Sequence, residues 1–166
     1  MPELNPEHLK SVIDMINKGP FFMHMSMRVT ELGVGYSKVV AKIGKEHMNP
    51  FGAIHGGGYA SVIDTAAYWS AYCDLPEEQG LVTIDLKVDF LSPVLDQKVI
   101  VTGKRVKGGK TIYLTEAQMI NENGKVFAHG TSKLLVIHNK QTMNEVVDYV
   151  SAEKLPSKFI KESHAT

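Results

Sequence analysis

The segment from Asn49 to Cys73 (NPFGAIHGGGYASVIDTAAYWSAYC) places a histidine and three glycines before an apolar, Ala-rich stretch typical of a helix. Asp64 is its only formally charged residue. Because a lone carboxylate is costly to bury in an apolar helix, Asp64 needs either a partner or a chemical role. Unpaired N–H groups at the start of such a helix are suitable donors to an oxyanion. These residue types are compatible with a base at Asp64 and with binding of an oxyanion at the glycines.

Each of these features also has a structural explanation, which the sequence leaves open. Asp64 is equally well explained as a buried carboxylate whose partner is Ser61, Ser70 or a backbone amide. Glycines at this position also permit close packing of a helix on a sheet. A single His55 is more often a structural histidine than an acid–base group. Only the combination of these residues at their spacing favours catalysis.

Composition limits the function classes that need to be considered. The chain of 166 residues is 43% apolar and carries 18 basic and 18 acidic side chains. This length predicts a single domain, 1–166, and the balanced charge argues against nucleic acid or an acidic membrane as a partner. Cys73 is the only cysteine, which excludes an internal disulfide and fits a reducing compartment. Since the N-terminus has no apolar signal region, we expect a cytoplasmic protein.

The flanks of the chain carry the patterns of two outer helices. Asn5-Pro6-Glu7 is typical of a helix start, and amphipathic spacing continues over residues 6–18 until Gly19-Pro20. Helical spacing returns over residues 144–155. The Met-rich segment 21–27 is interpreted as side chains that fill gaps in the core, with a flexible wall of an acyl pocket as the alternative.

Six segments show the alternation of apolar and polar residues that is typical of strands. They span residues 28–32, 36–43, 81–90, 99–106, 111–121 and 126–137. The first two form a predicted hairpin around Gly33-Val34-Gly35, and the last four follow one another through tight turns. In the third strand, one face is expected to carry the apolar side chains of Val82, Ile84, Leu86, Val88 and Phe90. The other face is expected to carry the polar side chains of Thr83, Asp85, Lys87 and Asp89. We predict an α+β fold in which a curved, antiparallel six-stranded sheet wraps around the central helix.

These residues and their order resemble the hotdog fold, and in particular acyl-CoA thioesterases of the phenylacetate-degradation type. The specific motif is Asn49-x-x-Gly52-x-x-His55-Gly56-Gly57, with Asp64 nine residues after the histidine. Similar runs follow at Val82–Leu86, Phe90–Pro93, Lys107–Thr111 and Asn123–Lys125. The resemblance covers residues 27–137 and leaves the two flanking helices outside the hotdog core.

The resemblance implies hydrolysis of an acyl-CoA or aryl-CoA thioester without a metal or cofactor, coenzyme A being part of the substrate. Asp64 then corresponds to the general base or nucleophile, and the Gly56 amide to the donor that polarises the thioester carbonyl. Asn49 corresponds to a group that holds water or the carbonyl. His55 corresponds to an orienting group and Thr83 to the hydroxyl that positions the water.

The resemblance also implies a binding surface for coenzyme A. We expect contacts with coenzyme A at Gly57, Lys107, Gly109, Lys110 and Ser132. Basic residues gather around the predicted hairpin in that region: Lys98, Lys104, Arg105, Lys107 and Lys110. Such a run is usually a solvated face, and contact with the phosphates is the alternative. Three aromatic residues are expected in the core, with one of them lining an acyl pocket as the alternative: Tyr68, Trp69 and Tyr72.

The separation of Asp64 from Gly56 constrains the assembly. The two residues are eight positions apart, or about 12 Å along a helix axis. Because one carbonyl cannot touch both groups across that span, Asp64 must come from a neighbouring subunit whose helix runs antiparallel. The mechanism therefore requires at least a homodimer, and a tetramer made of two dimers is also compatible with the sequence.

Two other hotdog functions compete with hydrolysis. Hotdog enoyl-CoA hydratases carry an Asn-Pro-aliphatic-His segment with an acid shortly after the histidine. In this chain three extra residues separate Asn49-Pro50 from His55, and Gly57 stands where the acid should be. The second alternative is a non-catalytic module that binds acyl-CoA. Asp64 argues against it, because a passive binding module does not need a carboxylate in this helix. The sequence contains no G-x-S-x-G elbow, zinc-ligand spacing or P-loop.

Overall fold

The computed structural model describes residues 3–95, 97–150 and 152–160. Its four α-helices are α1 (Pro6–Ile16), α2 (Pro20–His24), α3 (Gly56–Trp69) and α4 (Met143–Val150). Its six strands are β1 (Met27–Gly33), β2 (Tyr36–Lys42), β3 (Gln79–Phe90), β4 (Lys98–Lys107), β5 (Ile112–Ile120) and β6 (Val126–His138). The strands form one antiparallel sheet in the order β1-β2-β4-β5-β6-β3. This confirms the predicted α+β hotdog architecture, a curved sheet around a central helix with extra terminal helices.

The central helix α3 lies unusually close to the middle of the sheet. Any side chain at Gly103 of β4 would collide with the carbonyl of Ala66, so the backbones of strand and helix approach each other directly. The buried hydroxyl of Ser37 on β2 donates a hydrogen bond of 2.6 Å to the same carbonyl. These contacts fix the position of α3 along the sheet.

Strand β3 lies at one edge of the sheet, which corrects the prediction of a tight turn from the third strand to the fourth. β3 pairs with β6, whereas β4 lies in the interior of the sheet between β2 and β5. The connection begins with the N–H groups of Leu91 and Ser92, which both donate to the carbonyl of Phe127. Within the described residues, the other edge of β3 has no strand partner.

A β-bulge in β3 also corrects the predicted alternation of that strand. Thr83 pairs with Leu134 and Asp85 with Lys133, so Ile84 is an extra residue. The bulge leaves Val82 and Ile84 exposed, at 37% and 51%. Thr83 consequently faces the central helix, although the simple alternation placed it on the opposite face from the apolar residues.

The terminal segments differ from the sequence predictions in length. Helix α1 begins as predicted, with the Asn5 side chain accepting from the Glu7 N–H at 3.0 Å, but it ends at Ile16. The Asn17 side chain then bonds both backbone groups of Val29, which fixes α1 to the sheet. Helix α4 spans residues 143–150 rather than 144–155, because residues 152–160 run without helix back to the N-terminal segment, where Phe159 bridges to Leu4.

The Met-rich segment is only partly in the core. Met27 is buried, as interpreted from the sequence, whereas Phe21 and Met23 on α2 are more than half exposed, at 54% and 61%. The short helix directs these two side chains away from the sheet. None of the helices within the described residues is long and apolar enough to span a membrane.

Candidate active site

His55 is the N-cap of α3 and organises the start of the helix. Its Nδ1 accepts a hydrogen bond of 2.9 Å from the Gly57 N–H, and its carbonyl accepts one of 2.8 Å from the Gly58 N–H. The Gly56 N–H has no acceptor among the described residues. His55 therefore leaves one free donor, at the positive end of the helix dipole, where the sequence predicted it. Its predicted contact with substrate stays a prediction.

Asn49 organises the loop that leads into α3. Its side-chain oxygen accepts hydrogen bonds from the N–H groups of Phe51 at 2.9 Å and Ala53 at 3.2 Å. Gly52, between them, has a positive φ of +78° and donates its N–H to the Asn49 carbonyl. Because the side-chain oxygen is used in the loop, only the amide N–H groups of Asn49 are available to hold water or a carbonyl.

Asp64 and Thr83 are brought together between α3 and β3. The Thr83 hydroxyl donates a hydrogen bond of 3.0 Å to Asp64 Oδ1. Burial raises the pKa of Asp64, and the bond from Thr83 partly opposes that shift. The alternative partners Ser61 and Ser70 bond the carbonyls of their own helix instead. Within the described residues, the second oxygen of Asp64 has no partner.

The two halves of the predicted site lie at different positions along one chain. A side chain at Gly56 would contact the ring of Phe90 at 3.4 Å, while Asp64 contacts Thr83. Strand β3 therefore runs antiparallel beside α3, with the carbonyl-binding end at Phe90 and the base at Thr83. Since the two ends are about 12 Å apart along the helix, a single chain does not bring Gly56 and Asp64 to the same atom.

An open groove of about 350 Å³ lies beside Gly56. Its lining residues are Ile54, Gly56, Tyr59, Phe90, Leu91, Ser92 and Pro93. Tyr59 fixes one wall of the groove, since its hydroxyl donates to the Ser92 carbonyl and accepts from the Val94 N–H at 3.1 Å. The role of Tyr59 in this groove could not be predicted from the sequence. A single aromatic residue in an apolar helix indicates only that its side chain is buried.

Only some of the residues predicted to bind coenzyme A lie close to one another. Lys107, Gly109 and Lys110 line one open depression of about 890 Å³ at the turn between β4 and β5. Lys98 lies at the opposite end of β4 and bonds Glu122 at 2.7 Å, so its predicted place in this basic cluster is wrong. The error arose because a strand of ten residues separates its ends by about 30 Å.

Arg105 and Ser132 have partners inside the protein. Arg105 forms an ion pair of 2.6 Å with the buried Asp74. Ser132 is 1% exposed and donates its hydroxyl to the carbonyl of Asp85 at 3.0 Å. Gly57 gives its N–H to His55. The predicted contacts of Ser132 and Gly57 with coenzyme A therefore stay predictions without support from the geometry of one chain.

The described residues around this site do not form a cluster that could hold a metal ion. Within residues 3–95, 97–150 and 152–160, no cluster of three histidine, cysteine, aspartate or glutamate side chains is suited to hold a metal ion. The arrangement instead offers a partly buried carboxylate with a hydroxyl donor, a free N–H at a helix start and a basic turn. These groups are suited to activating water and polarising a carbonyl.

Comparison with known proteins agrees with this chemistry. A family model described as the thioesterase superfamily matches residues 51–128. Acyl-coenzyme A thioesterase 13 of Homo sapiens is 28% identical over 128 residues, which cover 75% of this chain and 91% of that protein.

Solved structures share the fold. A thioesterase from Haemophilus influenzae has a TM-score of 0.75 at 20% identity, covering 84% of this chain and 97% of that one. A protein from Bacillus halodurans, solved with CoA, has a TM-score of 0.58 at 28% identity, covering 60% of this chain and 66% of that one. By the family match over residues 51–128 and the shared hotdog architecture, the chain is similar to members of the thioesterase superfamily.

Proposed function

We propose that this protein hydrolyses acyl-CoA thioesters to a free acid and coenzyme A, at a site shared between two subunits. The hydrogen bond from Thr83 to Asp64 is the observation that carries the proposal, because it orients a carboxylate whose other oxygen is left without a partner. The similarity to an acyl-coenzyme A thioesterase and to a protein solved with CoA supports the substrate class. The motif around His55 supports the phenylacetate-degradation type.

In the proposed reaction, Asp64 takes a proton from a water molecule whose oxygen attacks the thioester carbon. The Gly56 N–H of the other subunit donates to the oxyanion that forms on the carbonyl oxygen. When the C–S bond breaks, the thiolate of coenzyme A takes the proton held by Asp64, and the acid is released. Burial favours this role, since the raised pKa makes Asp64 a stronger base. Direct attack by Asp64 on the thioester is the alternative within the same geometry.

The free edge of β3 supports a dimer that assembles this site. An exposed strand of twelve residues with unpaired backbone groups and exposed Val82 and Ile84 is a ready surface for another strand. The mechanism requires the antiparallel register of two β3 edges that sets Phe90 of one copy opposite Thr83 of the other. Since Phe90 lies beside Gly56 and Thr83 bonds Asp64, this pairing places each Gly56 near the other Asp64. Association of two dimers into a tetramer is compatible with this arrangement.

The basic turn between β4 and β5 is the proposed contact for the phosphates of coenzyme A. Lys107 and Lys110 supply positive charge, and Gly109 between them lets a phosphate approach the backbone. We also propose that the protein acts in the cytoplasm, since its single cysteine, Cys73, is free and buried.

Release of free thiol from a panel of acyl-CoA and aryl-CoA thioesters tests this function. The wild-type protein is expected to release coenzyme A, and the Asp64→Asn variant to lose about 10²–10⁴-fold in rate. Asp14→Asn is a matched control, because Asp14 is an exposed acid on α1 outside the site. Hydrolysis by Asp64→Asn at the wild-type rate would refute the mechanism.

A further inference from the structure

A cavity of about 250 Å³ lies at the C-terminal end of α3, on the opposite side of Asp64 from Gly56. Tyr68 of α3 and Tyr72 of the turn that follows α3 belong to its inner wall. Its outer wall comes from His8 on α1 and from the C-terminal segment that contains Pro156 and Lys158. Both outer elements lie outside the predicted hotdog core of residues 27–137.

The near end of the cavity lies next to Asp64, the proposed base. Tyr68 follows Asp64 by one helical turn, and Leu81 precedes Thr83 by two residues on the same face of β3. The Tyr68 hydroxyl donates to the Leu81 carbonyl at 3.3 Å, just as the Thr83 hydroxyl donates to Asp64. Tyr68 and Leu81 both line the cavity, so its near end lies next to Asp64 and Thr83.

The outer wall is held in place by His8. Its Nδ1 donates to the Pro156 carbonyl at 2.6 Å, since a carbonyl can only accept, and its Nε2 accepts from the Tyr72 hydroxyl at 2.6 Å. Burial lowers the pKa of His8, which favours this neutral ring. Helix α1, the C-terminal segment and the turn after α3 are thus joined at one side of the cavity.

Lys158 carries a buried charge at this wall. It is 1% exposed, and its Nζ donates to the carbonyls of Tyr72 and Leu75, each at 2.6 Å. Glu77 bonds the backbone N–H of Lys158 rather than the ammonium group. Among the described residues, no carboxylate lies within 4 Å of the ammonium, which also lies over the ring of Tyr72 at 3.9 Å from its centroid. A buried charge without a counter-ion is costly, and burial lowers the pKa of Lys158 to about 8.

We propose that this cavity binds the far end of the acyl group and that Lys158 pairs there with a carboxylate, so that the enzyme favours acyl-CoA thioesters whose chain ends in a carboxyl group. This inference rests on the proposed function. Asp64 and Trp69, the last residue of α3, are about 7.5 Å apart along the helix, and Tyr72 lies in the turn beyond it, so we expect a chain of about eight carbons to reach Lys158. A four-carbon chain does not reach Lys158.

The bonds from Lys158 to the carbonyls of Tyr72 and Leu75 also stabilise the end of the helical segment. A purely structural Lys158 leaves the substrate preference unchanged, whereas a carboxylate-binding Lys158 makes the preference depend on the chain end and the chain length. The two roles are therefore separated by comparing substrates on the wild-type protein.

The test compares kcat/KM for octanedioyl-CoA and octanoyl-CoA, which have equally long chains and differ in the terminal group. The wild type is expected to favour octanedioyl-CoA by about tenfold or more, and to show no preference between butanedioyl-CoA and butanoyl-CoA. Lys158→Met is expected to abolish the eight-carbon preference. Lys10→Met is the matched control, since Lys10 is an exposed lysine on α1 that does not line the cavity.

Equal kcat/KM for the two eight-carbon substrates in the wild type would overturn the inference and leave the thioesterase proposal intact. Absence of thiol release from all four substrates would count against the thioesterase function itself. Equilibrium binding of the eight-carbon pair to Asp64→Asn then decides the inference without turnover, because the carboxylate preference is a property of binding. Circular dichroism establishes that Lys158→Met is folded, and the wild-type comparison does not depend on that variant.

Discussion

The Thr83 hydroxyl donates a 3.0 Å hydrogen bond to the Asp64 carboxylate from a strand position that a β-bulge turns towards the central helix. Without the extra residue Ile84, the regular alternation of β3 would place Leu81 and Thr83 on the opposite face from Leu86. The bulge allows all three to face α3. This one bulge in β3 therefore turns both the core residue Leu81 and Thr83, the partner of Asp64, towards α3.

Replacing Thr83 by valine removes this hydrogen bond while keeping the size of the side chain. Because the bond opposes the effect of burial, its loss is expected to raise the pKa of Asp64 further. The acid limb of the pH profile of kcat/KM should then move to higher pH, and the rate at its maximum should fall about tenfold. Thr83→Ser keeps the hydroxyl and should retain the wild-type limb. An unchanged limb in Thr83→Val would show that Asp64 does not control the profile.

The raised pKa of Asp64 also predicts an effect on stability. Between the ordinary value of 3.8 and the raised value, the folded protein holds a proton that the unfolded chain has lost. The contribution of Asp64 to the free energy of unfolding therefore falls as pH rises through this window, and the cost persists at neutral pH.

Asp64→Asn removes this cost, so it should be more stable than the wild type at pH 7 although it is inactive. The difference should shrink as the pH is lowered towards 4. Denaturant unfolding of both proteins at several pH values measures it. An Asp64→Asn variant less stable than the wild type at pH 7 would contradict this account of the carboxylate.

The exposed edge of β3 predicts a residue whose change separates the subunits. Ile84 is 51% exposed at the bulge, and a charge there should oppose pairing of two β3 edges. Ile84→Lys is expected to give a folded monomer that has lost most of its activity. Ile112→Lys is the matched control, because Ile112 is similarly exposed, at 47%, on an interior strand of the sheet. Light scattering gives the mass of each variant, and a fully active Ile84→Lys monomer would exclude the shared site.

The helices and strands could be predicted because their signals are local, whereas Thr83 was expected at the site only from the family resemblance. Periodicity marks α3 and the six strands, and the lone charge marks Asp64 within a single helix. The bulge at Ile84 could not be predicted, since it depends on the register between β3 and residues of β6 some fifty positions later. The contacts among His8, Tyr72 and Lys158 join three distant parts of the chain, and none of the three residues has a distinctive neighbourhood in the sequence.

The proposed shared site can be tested with two variants that each remove a different half. Gly56 is the first residue of α3, a position that accepts proline, and His55 before it already has the extended backbone, with ψ of 139°, that proline requires. Gly56→Pro therefore deletes the free N–H and should keep the helix. Gly56→Ala is its control, since alanine adds a side chain beside Phe90 but retains the N–H.

The most direct measurement of the central claim is thiol release after subunits of Gly56→Pro and Asp64→Ala are mixed and allowed to exchange. Each variant alone is expected to be inactive. In a mixed dimer one of the two sites combines an intact Gly56 with an intact Asp64, so equal mixing should restore about a quarter of the wild-type rate. Differently tagged subunits show independently that mixed dimers have formed. Mixed dimers without activity would contradict a site built from Gly56 of one subunit and Asp64 of the other.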